Sequence, residues 1–180
     1  TESAGTAIEE ALWTNGGRVG IAFLSYTGSG TAHTLSLLYA EGTGSRNKAD
    51  GEQASGQADI VCVDDPKDPA GNAAAADDVV AYQKKNGDWA FSTVSSLSSK
   101  TITLNDNVEA PGIADGAKVN IIGVQGDGAE FQLQAEASAT KEWEFPSIVA
   151  KYPDEPLWFY SPNGTNAGSI DTLVLAALNK

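Results

Sequence analysis

The sequence predicts a mainly β protein: a small β-barrel or β-sandwich of antiparallel strands, with long polar loops and a short N-terminal helix or arm. Short apolar runs recur along the chain between turn residues, and several of them alternate apolar and polar side chains with a period of two. The 180 residues include 19 glycines, which suit tight turns. We expect residues 1–17 to form the arm or short helix, 18–140 the β core, and 141–180 an aromatic segment that packs on the core or on a neighbour.

The first elements are predicted from capping and turn residues. Thr6 and Glu9 have the spacing of a capping box, which predicts a short helix that ends near Leu12. A turn signal then precedes the apolar run 18–26, which predicts a central strand. A second apolar run, 34–40, follows a Gly/Ser turn, so we expect these two runs to pair as a hairpin.

Two polar stretches interrupt the predicted core. Residues 41–57 contain hardly any apolar side chain and far exceed a usual loop of about five residues. We therefore expect an exposed excursion there. Alternation returns at 58–64, which predicts a strand, and a second excursion follows at 65–77, where the alanine-rich part is either helical or irregular.

The middle of the chain has the regular spacing of strands and turns that is typical of a barrel or sandwich. Within one of its strands, Ile102 and Leu104 are expected on the core face and the neighbouring threonines on the opposite face. The clearest period-two pattern is at 130–137. The other predicted strands of this region are 78–83, 89–95, 100–104 and 118–124.

The C-terminal third is rich in aromatic residues and prolines. Pro153, Pro156 and Pro162 predict an edge or loop position for the run 157–160. Large aromatic rings give much contact area at low entropic cost, so they are candidates for partner binding, although core packing would explain them too. The candidate partner-binding residues are Trp13, Trp143, Phe145, Tyr152, Trp158, Phe159 and Tyr160.

Composition bears on which partners are possible. The chain has 11 basic and 24 acidic residues, a formal net charge of −13, so a nucleic acid backbone or an anionic lipid surface would repel it on average. We expect no nucleic acid partner, and no apolar run is long enough to predict membrane insertion. The single cysteine, Cys62, lies in an apolar run and is expected to be a buried thiol.

Residues for catalysis are sparse. His33 is the only histidine, so a serine triad or a two-histidine zinc site would depend on this one imidazole, which we expect to be structural or at the surface. The glycine clusters lack the Gly-Lys-Ser/Thr sequence of a phosphate-binding loop. Carboxylates for a glycosidase are available, but no spacing selects a pair. We therefore assign no catalytic residue.

Oxygen-rich loops leave calcium as a weak possibility. Calcium takes six to eight oxygen ligands, but the spacing of the helix-loop-helix calcium site is absent, and solvated turns also favour Asp and Asn. We expect no cofactor, with calcium as the alternative. The candidate ligands are Asp64, Asp65, Asp68, Asn105, Asp106 and Asn107.

One stretch resembles the small β-modules of tailed-bacteriophage virion proteins. The resemblance lies in Asp78-Val79-Val80-Ala81-Tyr82, Gly87-Asp88-Trp89, Thr93-Val94-Ser95-Ser96, Lys100-Thr101-Ile102-Thr103-Leu104 and Ile113-Ala114-Asp115-Gly116-Ala117-Lys118-Val119. It implies a capsid decoration, cement or knob protein, which is β-rich and non-enzymatic and binds the outer shell or its own copies.

Three functions are therefore considered. The first is a virion structural protein on the capsid surface, a homo-oligomer that binds the major capsid protein or other virion subunits. The second is a carbohydrate-binding module, secreted or carried by the virion, that uses Trp158 or Trp143. The third is a carboxylate-based glycoside hydrolase, for which the sequence offers the least support.

Overall fold

The computed structural model describes residues 5–7, 18–28, 32–38, 40, 42–123, 129–149, 158–160 and 169–178. Within these residues every regular element is a β-strand and the strands whose register is described pair antiparallel, so the predicted fold class is confirmed. The chain forms two compact units. The first combines residues 1–37 with 130–180, and the second comprises 38–129.

The described part of the first unit contains seven strands in two sheets. A four-stranded sheet has the order β1-β12-β3-β10, and a three-stranded sheet has the order β11-β2-β13. The strands are β1 (Gly5–Ala7), β2 (Arg18–Thr27), β3 (His33–Leu38), β10 (Ala129–Ala135), β11 (Thr140–Val149), β12 (Trp158–Tyr160) and β13 (Ser169–Leu178).

The second unit is a single six-stranded sheet in the order β4-β9-β6-β7-β8-β5. Apart from β4, its strands overlap the predicted runs, each of which ends near a turn. One such turn contains Gly87, which has a φ of +91°. The strands are β4 (Arg46–Lys48), β5 (Asp59–Val61), β6 (Val79–Gln83), β7 (Trp89–Ser98), β8 (Thr101–Leu104) and β9 (Lys118–Gly123).

The two outer strands of this sheet, β4 and β5, are joined just beyond their ends. The Val63 N–H donates to the Lys48 carbonyl at 2.9 Å, and the Asp50 N–H donates to the Val61 carbonyl at 2.8 Å. These bonds close the sheet on itself at this point, which is the geometry of a small barrel.

Alternate residues of the strands fill the interior of the second unit. In β8, Ile102 and Leu104 are buried and the threonines between them are partly exposed, as the sequence predicted. In β6, four consecutive residues from Val79 to Tyr82 are buried, as expected of a strand covered on both faces. The core cluster comprises Ala49, Ile60, Cys62, Ala74, Val80, Tyr82, Ala90, Val94, Ile102, Leu104, Val108, Ile113, Val119 and Ile121.

The segment 41–57 is not the exposed excursion that its polarity suggested. It contains β4, and its Ser45, Asn47 and Gln53 are buried. These polar side chains are tolerated in the interior because they bond to backbone groups: the Ser45 hydroxyl donates to the Ile121 carbonyl at 2.7 Å. Gln53 and Ile113 also exchange two backbone hydrogen bonds of 2.9 Å.

The predicted pairing of the first two apolar runs is wrong. β2 and β3 lie in different sheets, since β2 pairs with β11 and β13, whereas β3 lies between β12 and β10. A turn between two runs was evidence for a hairpin, but the partners of β2 come from the far end of the chain. The short connection between β2, which ends at Thr27, and β3, which begins at His33, does not outweigh these long-range pairings.

Two further predictions concern chain segments near the termini. Residues 158–160 form β12, which is flanked by β1 and β3, so they are not the edge strand or loop that the prolines suggested. Leu157, Pro153, Pro156 and Pro162 lie outside the described residues. Residues 5–7, at the start of the predicted helix or arm, form β1, and 8–17 lie outside the described residues. The sequence-based boundaries at 17 and 140 also differ from the observed division at 37 and 129.

Candidate contact surface

The predicted partner-binding residues are distributed over two sheets of the first unit. Trp143 and Phe145 lie on β11, whereas Trp158, Phe159 and Tyr160 form β12. Trp13 and Tyr152 lie outside the described residues. Since β11 and β12 belong to different sheets, the strand order does not place these aromatic residues on one surface. Trp143 is the residue of this set whose side-chain exposure the structure describes.

Trp143 occupies an outer strand of the sheet β11-β2-β13. It pairs with Leu24 of β2, and the preceding residue on the same face, Lys141, pairs with Tyr26. Leu24 and Tyr26 are buried, with 0% and 3% of their surface exposed, and Trp143 is only partly buried. The indole therefore lies at the rim of an apolar sheet face, where part of its surface remains accessible.

The opposite face of this sheet carries several polar side chains together with Phe23. Glu142 and Glu144 are exposed on either side of Trp143 in the chain. The Thr27 hydroxyl donates to the Asp171 carboxylate at 2.5 Å and lies 2.6 Å from the Thr140 hydroxyl. Because the Thr27 proton is directed to Asp171, the Thr140 hydroxyl is the donor to Thr27. These bonds connect all three strands across the sheet.

Sequence reasoning did not find this cross-strand arrangement. Thr27 and Asp171 are 144 residues apart in the chain, and neither stands in a motif. A period-two pattern identifies the face of a strand but not its neighbour, so no signal in the sequence links the two residues.

The calcium candidates are engaged in turns. The Asp68 carboxylate accepts hydrogen bonds from the Asn72 backbone N–H at 2.8 Å and from its side-chain amide at 3.0 Å. The Asn105 side-chain amide donates to the Thr93 hydroxyl at 2.8 Å, and the Ser92 hydroxyl accepts from the Asp106 N–H at 3.2 Å. The remaining candidates, Asp64, Asp65 and Asn107, are exposed.

The structure does not bring these oxygens together. Within the described residues there is no group of three or more His, Cys, Asp or Glu side chains that could hold a metal ion. The hydrogen bonds that these residues make are those of Asp and Asn side chains in turns.

Cys62 is a free, buried thiol, as the apolar run predicted. Burial, and to a smaller extent the charge of Asp64, raises the pKa of the Cys62 thiol to about 12. A thiol with such a pKa stays protonated at neutral pH and is a poor nucleophile. His33 lies on β3, but its side chain is outside the described part of the structure.

The second unit has its own partly accessible apolar groups. Trp89, at the start of β7, is partly buried, and Val63, just after β5, is 42% exposed. Val63 ends the apolar run that contains Cys62. It is exposed because alternation places the neighbouring Cys62 in the core and turns Val63 outward.

Comparison with known proteins gives no relative. No family model, no curated protein and no solved structure matches this chain. In the described residues no helix has the length and apolar character needed to cross a membrane. The described residues define a mainly β protein with antiparallel sheets.

Proposed function

We propose that this chain is a non-enzymatic virion structural protein that decorates or stabilises a phage capsid through protein–protein contacts. The main support is Trp143, a large aromatic side chain at the rim of a sheet with part of its indole accessible. Tryptophan is enriched among the residues that dominate binding energy at protein interfaces, since one ring buries a large apolar area at low entropic cost.

The surroundings of Trp143 suit a reversible surface contact. The partly exposed Lys141 shares the sheet face of the indole, so a charged group lies beside the apolar ring, whereas Glu142 and Glu144 lie on the opposite face. An apolar centre with a polar rim is the usual composition of an interface between proteins that also exist separately. The net charge of −13 directs such a contact toward a neutral or basic protein surface.

The second unit supports the same function in a different way. Its strands β6 to β9 contain the residues that resemble phage virion β-modules, and its interior is occupied by its own apolar side chains. A filled barrel offers its outer surface and loops for contact. A scaffold of this kind is suited to display or reinforcement on a particle.

The experiment compares how alanine substitutions of two tryptophans affect attachment of the chain to virus particles. Particles would be purified on a density gradient from the culture that produces the chain, and the copies per major capsid protein would be measured by quantitative mass spectrometry. We expect a fixed stoichiometry for the parent chain and a fall of roughly tenfold in occupancy for Trp143→Ala, the loss typical of an interface anchor. Trp89→Ala, which truncates a partly buried tryptophan of the second unit, is the matched control and should retain occupancy.

Two results would contradict this function. One is the absence of the parent chain from purified particles. The other is unchanged occupancy of Trp143→Ala in a protein that unfolds at the same temperature as the parent, since loss of the indole would then have no effect on attachment.

A carbohydrate-binding module is a second candidate, because a partly exposed indole can stack on a sugar ring. Trp143 and Trp89 both meet this condition, and Trp158, on β12, is the third tryptophan to test. A glycan array of the parent chain and the three Trp→Ala variants separates the candidates. Binding that is lost in one variant favours the module, and an array without signal excludes it for the glycans tested.

A further inference from the structure

The sheet β11-β2-β13 has two outer strands of equal length but different character. Each is ten residues long and pairs with β2 on one side. Among the described strands, neither has a neighbour on its other side. An outer strand presents a row of backbone N–H and C=O groups that can pair with another chain, and proteins usually protect such edges with charges, prolines or bulges.

β11 carries these protections. Lys141, Glu142 and Glu144 place three charges within its first five residues, and Pro146 lacks the N–H that a neighbouring strand would need. The register with β2 is also irregular between Glu144 and Ile148. Pairing at this edge is therefore disfavoured on several grounds.

β13 has register shifts too, but it lacks the proline and most of the charges. Its sequence, SIDTLVLAAL, contains no proline and a single charged residue, Asp171. The Asp171 carboxylate accepts the hydroxyl proton of Thr27 at 2.5 Å, so it is engaged within its own sheet. Residues 172–178 carry no charge at all. Two register shifts interrupt the pairing with β2, but nine residues still pair.

We propose that the outer edge of β13 pairs with the β13 edge of a second copy of this chain, giving a two-fold symmetric dimer with a continuous six-stranded sheet. Antiparallel pairing of identical strands is self-complementary, because a two-fold axis places the N–H groups of each strand opposite the C=O groups of the other. This interface is independent of the capsid function: it specifies how copies associate, whatever they bind.

Charge favours a second copy over a basic peptide at this edge. A basic extended segment would gain most from Glu142 and Glu144, which lie on β11. The seven uncharged residues of β13 match another uncharged strand instead. Each copy has a formal net charge of −13, so two copies repel each other at long range, and salt screens this repulsion. Association should thus strengthen with added salt, whereas capture of a basic segment would weaken.

The cross-strand row through Ser25 supplies a matched pair of variants. Ser25 lies opposite Glu142 on β11 and opposite Thr172 on β13. Thr172→Glu therefore places at one edge the side chain that the other edge already accommodates, and Glu142→Thr is its reciprocal control. Both Glu142 and Thr172 are exposed, so neither change disturbs a core.

The test is sedimentation equilibrium of the full chain over a range of concentrations, at about 0.01 M and about 1 M salt. We expect a monomer–dimer equilibrium that is tighter at high salt. Thr172→Glu should raise the dimer dissociation constant roughly tenfold, since each copy adds a carboxylate to the seam, and Glu142→Thr should leave it unchanged. Hydrogen exchange should slow in β13 amides, and not in β11 amides, as concentration rises.

Several results would overturn this interface. They are a monomer at every concentration and salt, an association that weakens with salt, equal effects of the two variants, or concentration-dependent protection of β11 in place of β13. A loss of capsid attachment without any change in dimerisation would contradict nothing here, so the two proposals fail separately.

Discussion

At the scale of single residues, Gly112 and Gly87 have nearly the same backbone angle but different surroundings. Their φ angles are +90° and +91°. A Cβ added at Gly87 would meet nothing within 4 Å, whereas one at Gly112 would lie 2.6 Å from the Gln53 carbonyl oxygen. That oxygen cannot easily move, because Gln53 and Ile113 hold each other through two backbone hydrogen bonds.

Alanine substitutions at Gly87 and Gly112 distinguish the cost of backbone strain from the cost of a steric clash. We expect Gly87→Ala to lower the free energy of unfolding by about 1–2 kcal/mol, the cost of a side chain at positive φ. Gly112→Ala should lower it by roughly 3 kcal/mol or more, since overpacking adds to the same strain. Urea unfolding of both variants measures the difference. Equal losses would show that the segment around Gln53 can yield and that the contact is not rigid.

Residue roles were predictable where a single side chain and its chain neighbours decide the outcome. Cys62 was identified as a buried thiol because it lies in an apolar run, and Ile102 and Leu104 were placed in the core by alternation. The roles of Thr27 and Asp171 were not predictable, since their hydrogen bond joins residues from opposite ends of the chain. For Trp143 the sequence offered core and contact roles; the structure shows a partly buried side chain, and the contact role stays a prediction.

At the scale of elements, the junction between β4 and β5 depends on one polar side chain. Asn47 is buried, with 2% of its surface exposed. Its amide donates to the Gly44 carbonyl at 3.2 Å and to the Asp64 carbonyl at 3.0 Å, and its oxygen accepts from the Asp64 N–H at 3.1 Å. The side chain thus ties β4 to the segment that follows β5.

We expect Asn47→Ala to lower the free energy of unfolding of the second unit by about 2–4 kcal/mol, because it removes the partner of the part-buried Asp64 N–H and carbonyl and deletes a buried side chain. Asn105→Ala is the control: it also removes a side-chain amide, but from an exposed turn, and should cost less than about 1 kcal/mol. Hydrogen exchange at 59–64 should accelerate in the first variant only. Unchanged exchange there would mean that the backbone bonds alone hold the junction.

Strand positions were predictable and strand partners were not. Local alternation and turn residues located β2 and the strands from β6 to β9 to within a few residues. The partners of β2 are set by long-range packing, which is why the hairpin with β3 was wrong. The segment 41–57 was misjudged for a related reason. Hydropathy does not predict the burial of polar side chains such as Asn47, which are buried because hydrogen bonds compensate for the loss of water.

At the scale of the whole molecule, the second unit is an insertion in the first. The chain leaves the first unit at the end of β3 and returns at the start of β10, and these two strands are neighbours in one sheet. The six strands of the inserted sheet and its entire apolar core cluster lie between residues 46 and 123. A unit with its own core and its own closed hydrogen bonding is expected to fold alone.

The fragment 38–129 should therefore fold without the rest of the chain. We expect a dispersed NMR spectrum and a single cooperative urea transition, as for other small domains. The fragment 38–104 is the control, because it lacks β9, which lies between β4 and β6 in the sheet. Without β9 the order is interrupted and Val119 and Ile121 are missing from the core, so the shorter fragment should stay unfolded. A disordered 38–129 fragment would show that the barrel depends on the remaining chain, and its insertion would then be an integral part of a single folding unit.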